Sequence, residues 1–304
     1  MKATSSYPKI VTDETIRERV SHGEESYPFA FYLEDIWEFD FHSIDWHWHP
    51  ELEFVYIEKG TAIVYAGNNK YCLTPGSAIF INKQIIHRFE STESTIIPNI
   101  VFSPFLLAAE ESLVYQKYMK PILSSSIDCQ IFAPNVPWHK EIIDILNRVF
   151  LLQKQENSCE LQTIQLLLNL WQILYHNIKS IATEFSNKAD IQDQARLQIM
   201  MQYIHENYQN NISLEELTQI ISLSKSSILN IFNEYVHMSP IDYVIHYKLK
   251  QAAQLLDTTE NTITAIALNT GFSNVGYFCR KFKEIFKLTP SQYRKSKHES
   301  TFTL

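Results

Sequence analysis

Residues 47–60 spell His-x-His-x3-Glu-x6-Gly, with His47, His49, Glu53 and Gly60, and a further histidine, His87, follows the Pro75-Gly76 turn and the run SAIFIN. Imidazole nitrogens and a carboxylate oxygen are a ligand set that suits a first-row transition metal. If 47–53 is one strand, residues 47, 49 and 53 differ by even steps and share a face, which turns all three into the mouth of a barrel. His47, His49, Glu53 and His87 are therefore candidate ligands of a divalent metal. A second reading requires no cofactor: the same side chains line a ligand pocket or satisfy buried hydrogen bonds, and it is the preferred one. The pocket walls are then Trp46, His47, Trp48, His49, Glu53, Phe54, Tyr56 and His87. Aromatic faces with a few polar anchors suit a sugar or a similar small polar metabolite. Trp37 and Trp138 are assigned to plain core.

A second constellation lies at the other end of the chain. Residues 271–298 carry seven cations (Arg280, Lys281, Lys283, Lys287, Arg294, Lys295, Lys297) and one acid, Glu284, a local charge of +6. The whole chain has a formal net charge of −8, which taken alone argues against a nucleic-acid partner. Divided by region, it does not. Residues 190–304 carry 11 Lys/Arg and 11 Asp/Glu, so the entire excess of acid lies in residues 1–189.

The basic segment sits in a repeat. SLEELTQIISLSKSSILNIFNEYVHMSPIDY (213–243) and TAIALNTGFSNVGYFCRKFKEIFKLTPSQY (264–293) align, with Leu217 on Ile266 and Ser224 on Ser273 at an offset of 49. Ile228 on Phe278, Phe232 on Phe282, Pro240 on Pro290 and Tyr243 on Tyr293 follow at 50, so one residue is inserted near the second turn. Each copy reads as helix, short turn, helix. Ser213 with Glu216 forms a capping box, and Ser224 and Ser273 are expected to cap the second helices. A helix-turn-helix places its second helix in the DNA major groove. Arg280 could hold guanine in a bidentate fork, while Lys281, Lys283, Lys287, Arg294 and Lys295 are placed for phosphates.

The rest of the chain must position these two sites. A length of 304 residues suggests about two domains. Residues 27–102 read as short strands broken by turns at Lys59-Gly60, Gly67-Asn68-Asn69 and Pro75-Gly76, the pattern of an antiparallel sandwich or barrel. None of the six glycines falls between residues 76 and 271, so the middle should be helical. Ile142, Ile143, Leu146, Val149 and Phe150 mark one amphipathic helix over 139–155, and Leu161, Ile164, Leu167, Leu168, Trp171 and Leu174 a second over 159–181. The polar stretch 182–194 is the expected domain boundary. No apolar run fits a membrane span or a signal peptide, and the four scattered cysteines read as reduced thiols, so a cytoplasmic protein is expected.

The stretch IALNTGFSNVGYFCRKFKEIFKLTPSQYRK closely resembles the C-terminal signature of the AraC/XylS family of bacterial transcription regulators, and SPIDYVIHYKLKQAAQLL matches the helix that joins the family's two helix-turn-helix units. The resemblance covers about residues 193–297. It implies seven helices, a long one at about 240–256, and recognition helices entering successive major grooves about 34 Å apart. It also implies base-reading positions at Ser226, Leu229 and Asn230 in the first unit and Gly276, Cys279 and Arg280 in the second, with Lys225 and Asn274 beside them. This chain departs from the pattern at Asn230, where arginine is usual, at His237 and Lys287, where glycine is common, and at Lys248, where arginine is common. The first recognition helix has Lys225 as its only cation, so the second unit should carry more of the phosphate contact. The HxHxxxE run with His87 in turn resembles the cupin fold, whose barrels hold a divalent metal.

The expected fold is α+β with two domains. Residues 1–26 form an arm that closes over ligand, 27–104 a cupin-like β-barrel, 105–182 a helical dimerisation segment, 183–192 a linker, and 193–297 an all-α domain with two helix-turn-helix units. The expected function is a ligand-responsive, sequence-specific DNA-binding regulator, an activator of a carbohydrate or small-metabolite operon. It is expected to act as a homodimer with double-stranded DNA, a small effector and RNA polymerase as partners, and not as an enzyme. The competing reading is a metal-dependent cupin enzyme with an incidental helical tail; it leaves the C-terminal repeat without a role. A third reading keeps the DNA-binding half and uses the barrel for dimerisation alone.

Overall fold

Alternating apolar residues over 29–102 build two antiparallel sheets in the computed structural model, which describes residues 10–13, 15–155, 159–184 and 188–301. The strands are β1 (Phe29–Asp35), β2 (Ser43–His47), β3 (Leu52–Tyr56), β4 (Ala62–Ala66), β5 (Asn69–Leu73), β6 (Ala78–Ile81), β7 (His87–Glu90), β8 (Ile96–Phe102) and β9 (Cys129–Phe132). One sheet runs β1-β8-β3-β6-β9 and the other β2-β7-β4-β5. Between them Val55, Ile57, Val64, Ile79, Ile81, Phe89 and Ile97 form one core. The five-stranded sheet is also covered on its other face. There Phe29, Phe54, Phe80, Phe102 and Phe132 meet Ile142, Leu146, Phe150, Leu167, Trp171 and Leu174. A sheet buried on both faces needs apolar residues in succession, and β8 is buried over 97–102 without a break. Each such side chain contributes about 1.5–3 kcal/mol of burial.

The covering residues come from α1 (Lys120–Leu123), which follows a π-helical turn at Tyr115–Met119, and from α2 (Pro137–Gln153) and α3 (Glu160–Glu184). The α2 and α3 stripes thus pack on their own chain's sheet, while Leu161 stays 81% exposed and Leu168 40%. Strand β9 lies inside the stretch expected to be helical, where its four residues pair with β6 as an edge strand. Trp37 is not core: it is 40% exposed and stacks on His42. Trp138 packs edge-on to Phe132 and is partly buried. Of the expected linker 183–192, Glu184 ends α3 and residues 188–192 already belong to the next helix, while 185–187 lie outside the described residues. Residues 1–9 of the expected arm lie outside them as well.

The chain divides into two units, Met1–Gln194 and Ala195–Leu304. The remaining helices are α4 (Lys188–Asn207), α5 (Leu214–Ile221), α6 (Lys225–Tyr235), α7 (Pro240–Thr258), α8 (Ile263–Asn269), α9 (Val275–Phe286) and α10 (Pro290–Thr301). The sequence repeat is a repeat of core: Leu217, Ile266, Ile228, Phe278, Phe232 and Phe282 are all fully buried. Ser213 and Glu216 close the expected capping box, and Ser224 caps α6. The cap of α9 is Asn274, whose side chain accepts from the Tyr277 N–H, and not Ser273. The inserted residue therefore lies inside the second turn. Ser222 and Gly271 hold the left-handed position of the two turns (φ 52° and 79°), and one more residue separates Gly271 from its cap.

Lys248 of α7 is 7% exposed. Its Nζ donates to the Asn210 carbonyl at 3.0 Å and to the Gly271 carbonyl at 2.9 Å. A Cβ on Gly271 would stand 2.4 Å from the Gln209 carbonyl oxygen, so glycine is required there by contact as well as by φ. No helix among the described residues is long and apolar enough to cross a membrane.

Candidate functional site

His47, His49, Glu53 and His87 converge, although not from one strand. His47 ends β2 in one sheet, His49 lies in the connection, Glu53 is on β3 in the other sheet, and His87 opens β7. Pairing of β2 with β7 shifts register between Ile44 and His47, and that irregularity turns both residues toward the interior. The residues of the motif thus meet, but not through the even spacing of a single strand. Nε2 of His87 is 3.1 Å from Glu53 Oε2, and Nε2 of His49 is 3.5 Å from the same oxygen. The ligand nitrogens of His47, His49 and His87 lie within 4.8 Å of one another. Nitrogens bound tetrahedrally to one ion stand about 3.3 Å apart, so small side-chain rotations close the site.

Backbone contacts fix which nitrogens face inward. His47 Nδ1 lies 2.7 Å from the Asp45 carbonyl and His87 Nδ1 2.8 Å from the Ile85 carbonyl. With Nδ1–H donated outward, Nε2 is the nitrogen that each ring turns toward the cluster, the arrangement that orients a metal-binding histidine. His49 Nδ1, Glu53 Oε2 and His87 Nε2 are buried without a hydrogen bond. Buried polar atoms left this way are rare, and three in one cluster point to a missing cation or proton. Burial, followed by the neighbouring His87, pushes His47 down to about 3, so its ring is neutral and available as a ligand. Burial works to raise Glu53, but attraction from His49 and His87 outweighs it and holds the carboxyl below the usual range.

The structure adds residues that the motif does not contain. Glu18, His22, Tyr32, Glu34 and Asn99 join His47, His49 and Glu53 around a cavity of about 30 Å³. Glu34 accepts from Asn99 Nδ2 at 2.8 Å, and burial pushes it up to about 8. It is therefore mostly protonated at neutral pH. Such a cavity takes an ion and a water or two and is far below the size that encloses a sugar. Trp46, Trp48, Phe54 and Tyr56 do not line it. Phe54 and Tyr56 lie on the β3 face turned toward the helices, against Phe80 and Phe150 respectively. Trp46 packs on Tyr65, and Trp48 Nε1 donates to the Thr15 carbonyl.

In the second unit α6 and α9 occupy equivalent places. Ser226 and Asn230 are exposed on α6 and Leu229 is half-buried; on α9 Gly276, Arg280 and Lys283 are exposed and Cys279 is half-buried. Lys225 is engaged in an ion pair with Glu215, which leaves the first recognition helix with less free positive charge than its sequence suggests. Arg280 lies over the Tyr277 ring, 5.4 Å from its centroid. Lys281 pairs with Glu284 at 3.0 Å, and Lys287 Nζ donates to the Glu284 carbonyl. Arg294 is turned away from a phosphate-binding role. Its Nε donates to the Leu256 carbonyl and its Nη2 to the Asn261 carbonyl at 2.6 Å, holding the end of α7. Asn274 is spent on the α9 cap.

Comparison with known proteins matches both units. Residues 36–171 match the family described as AraC-like ligand binding domain, and residues 217–296 match a helix-turn-helix domain. The chain is 28% identical over 290 residues to the HTH-type transcriptional regulator YdeC of Bacillus subtilis, covering 94% of this chain and 98% of that one. It is 32% identical over 154 residues to an HTH-type transcriptional regulator of Haemophilus influenzae, about half of each chain. Among solved structures, a probable AraC family transcriptional regulator from Rhodopseudomonas palustris is 30% identical, with 34% of this chain and 97% of that one aligned and a TM-score of 0.32. ToxT of Vibrio cholerae, in a structure with bound unsaturated fatty acid, is 16% identical over 88% of this chain and 94% of that one, with a TM-score of 0.42. With a ligand-binding domain ahead of a DNA-binding helix-turn-helix domain, the chain belongs to the AraC family of transcriptional regulators.

Proposed function

We propose that this regulator senses a small polar effector at a divalent transition-metal centre in its N-terminal unit, and that occupancy of the centre changes how it binds the promoter it activates. The observation that carries the reading is the buried set His47, His49, Glu53 and His87, with three donor atoms lacking hydrogen bonds. The set fits the metal. It offers three imidazoles and one carboxylate, with His47 and His87 oriented from behind by backbone carbonyls. When bound, such an ion supplies a Lewis-acidic position for an oxygen of the effector. His47 and His87 hold it through Nε2, Glu53 offsets its charge, and Glu34, protonated at neutral pH, is a hydrogen-bond donor toward the same cavity.

DNA is bound through Ser226, Leu229 and Asn230 on α6 and Gly276, Cys279 and Arg280 on α9, with Lys281, Lys283 and Lys287 on phosphates. Arg280, supported by Tyr277, is the principal base reader. The exposed leucines Leu151, Leu161 and Leu168 on α2 and α3 support a homodimer, which would work in the cytoplasm with RNA polymerase. The test is a gel shift on the DNA upstream of its own gene at low salt, with the protein stripped of metal and then reloaded. A specific complex whose affinity changes on reloading is expected. Absence of any specific complex in both states overturns the reading.

A further inference from the structure

The chain before β1 brings two donors to the centre from outside the barrel. Its backbone is joined to the barrel at Trp48. The Glu18 N–H donates to the Trp48 carbonyl at 2.9 Å, the Trp48 N–H donates to the Ile16 carbonyl at 3.2 Å, and Trp48 Nε1 donates to the Thr15 carbonyl at 2.8 Å. This seating turns the Glu18 and His22 side chains inward. A carboxylate oxygen of Glu18, a ring nitrogen of His22 and a ring nitrogen of His49 lie within 4.8 Å of one another. His22 is 6% exposed, and its Nε2 stands 3.2 Å from Glu18 Oε2, an ion-pair contact without hydrogen-bond geometry. Its Nδ1 is 2.9 Å from Tyr32 Oη, and its ring is 5.2 Å from that of His49. His49 thus stands between two donor sets, His47, Glu53 and His87 on the barrel side and Glu18 and His22 on the segment side.

We propose that a divalent transition metal at this centre takes Glu18 and His22 as ligands together with His49, so that the ion ties residues 15–22 across the barrel mouth as a metal-dependent lid. The proposal rests on the reading that the centre holds metal. Carboxylate oxygen and imidazole nitrogen are the same ligand classes as on the barrel side, and the charge of Glu18 adds to that of Glu53 in balancing a divalent ion. Ile10, Glu18, Val20 and His22 form one wall of the cavity, so lifting this segment is what enlarges a space too small for a metabolite. Metal binding and effector access are thereby coupled through one segment.

Arg17 and Arg19 flank Glu18 with exposed side chains, which makes the segment a trypsin substrate when it lifts. The probe is cobalt(II) added to the metal-stripped full-length chain, with cleavage after Arg17 and Arg19 followed by mass spectrometry and bound cobalt measured directly. Cleavage from a transiently open state follows the open population, so an ion that prefers the closed form about tenfold slows cutting about tenfold. The double variant Glu18→Gln, His22→Gln should still take up cobalt on His47, His49 and His87, show an altered visible spectrum and lose the protection. Stoichiometric cobalt binding by the wild type with no change in cleavage overturns the proposal. So does equal protection of wild type and variant. A wild type that takes up no cobalt overturns the underlying metal reading too, and the direct metal measurement separates that result from the others. The wild-type comparison with and without cobalt needs no variant to fold.

Discussion

Nε2 of His87 and Oε2 of Glu53 lie 3.1 Å apart, both buried and neither in a hydrogen bond. Because His87 Nδ1 faces the Ile85 carbonyl, the contact brings a lone pair against a carboxylate unless a proton or a metal ion lies between them. Removing the charge should therefore weaken the metal-free and the metal-bound states alike. Glu53→Gln is expected to lower the stability of the metal-free protein, since the attraction from His49 and His87 that holds the folded-state carboxyl below its usual range stabilises the fold at neutral pH. Zinc at about one hundred times its Kd should stabilise wild type by about 2.7 kcal/mol and the variant by much less. Thermal unfolding with chelator and with zinc measures both. Equal zinc stabilisation of the two proteins would exclude Glu53 as a ligand.

Glu34 gives a pH dependence of definite sign. Its folded-state pKa, raised by burial to about 8, exceeds the ordinary glutamate value of 4.5. Between those values the folded chain holds a proton that the unfolded chain has released, so stability falls as pH rises, by at most about 1.4 kcal/mol per unit. His22, also raised, acts in the same direction through its partner Glu18. Urea unfolding of metal-free protein at pH 6 and pH 8 should show the lower midpoint at pH 8. Glu34→Gln, which keeps an acceptor for Asn99, should reduce that difference, and an unchanged difference would remove Glu34 as its source.

The basic residues of the second unit should separate by role in a salt titration of DNA binding. Arg280→Ala is expected to cost about 1–3 kcal/mol on the specific site and to relax sequence preference. Lys283→Ala should reduce the slope of log K against log salt by about 1 with little change in preference. Arg294→Ala should leave the slope unchanged and lower the melting temperature, because its guanidinium is engaged with the Leu256 and Asn261 carbonyls. A slope change for Arg294→Ala equal to that of Lys283→Ala would return Arg294 to the DNA face.

His237 and Lys287 stand at the same place in the two copies, just past the recognition helices, and both hold positive φ (55° and 60°). That conformation is unfavourable for a residue with a Cβ and free for glycine. His237→Gly and Lys287→Gly should each stabilise the second unit by about 0.5–1 kcal/mol, net of the flexibility glycine adds to the unfolded chain. Chemical denaturation of the two variants tests this. Destabilisation by both would mean that the side chains contribute more than the backbone costs.

What was legible in the sequence follows from what is local. The repeat, its caps at Ser213 and Ser224, and the long helix α7 are written in spacing and capping chemistry that act within a few residues. The gathering of His47, His49, Glu53 and His87 was legible as a motif, but its geometry depends on an irregularity in β2 and a crossing between sheets. Phe54 and Tyr56 were misplaced because one sheet carries apolar residues on both faces, and alternation alone does not say which face borders the cavity. Strand β9 exists by virtue of its partner β6, and four residues carry too little pattern to announce it. Glu18 and His22 reach the centre by tertiary folding across 25 to 69 residues of chain, with no periodicity to mark them.

Lys248 has one further consequence. Through the carbonyls of Asn210 and Gly271 it fastens the loop before α5 to the turn before α9, where the chain is already in backbone contact at Gln209. Reading heads held this way form a ruler of fixed pitch. One base pair inserted between their half-sites turns one by about 34° relative to the other. A jointed protein would follow that rotation at small cost. This one must bend the DNA or release a helix, so its operators should tolerate changes in sequence better than changes in spacing.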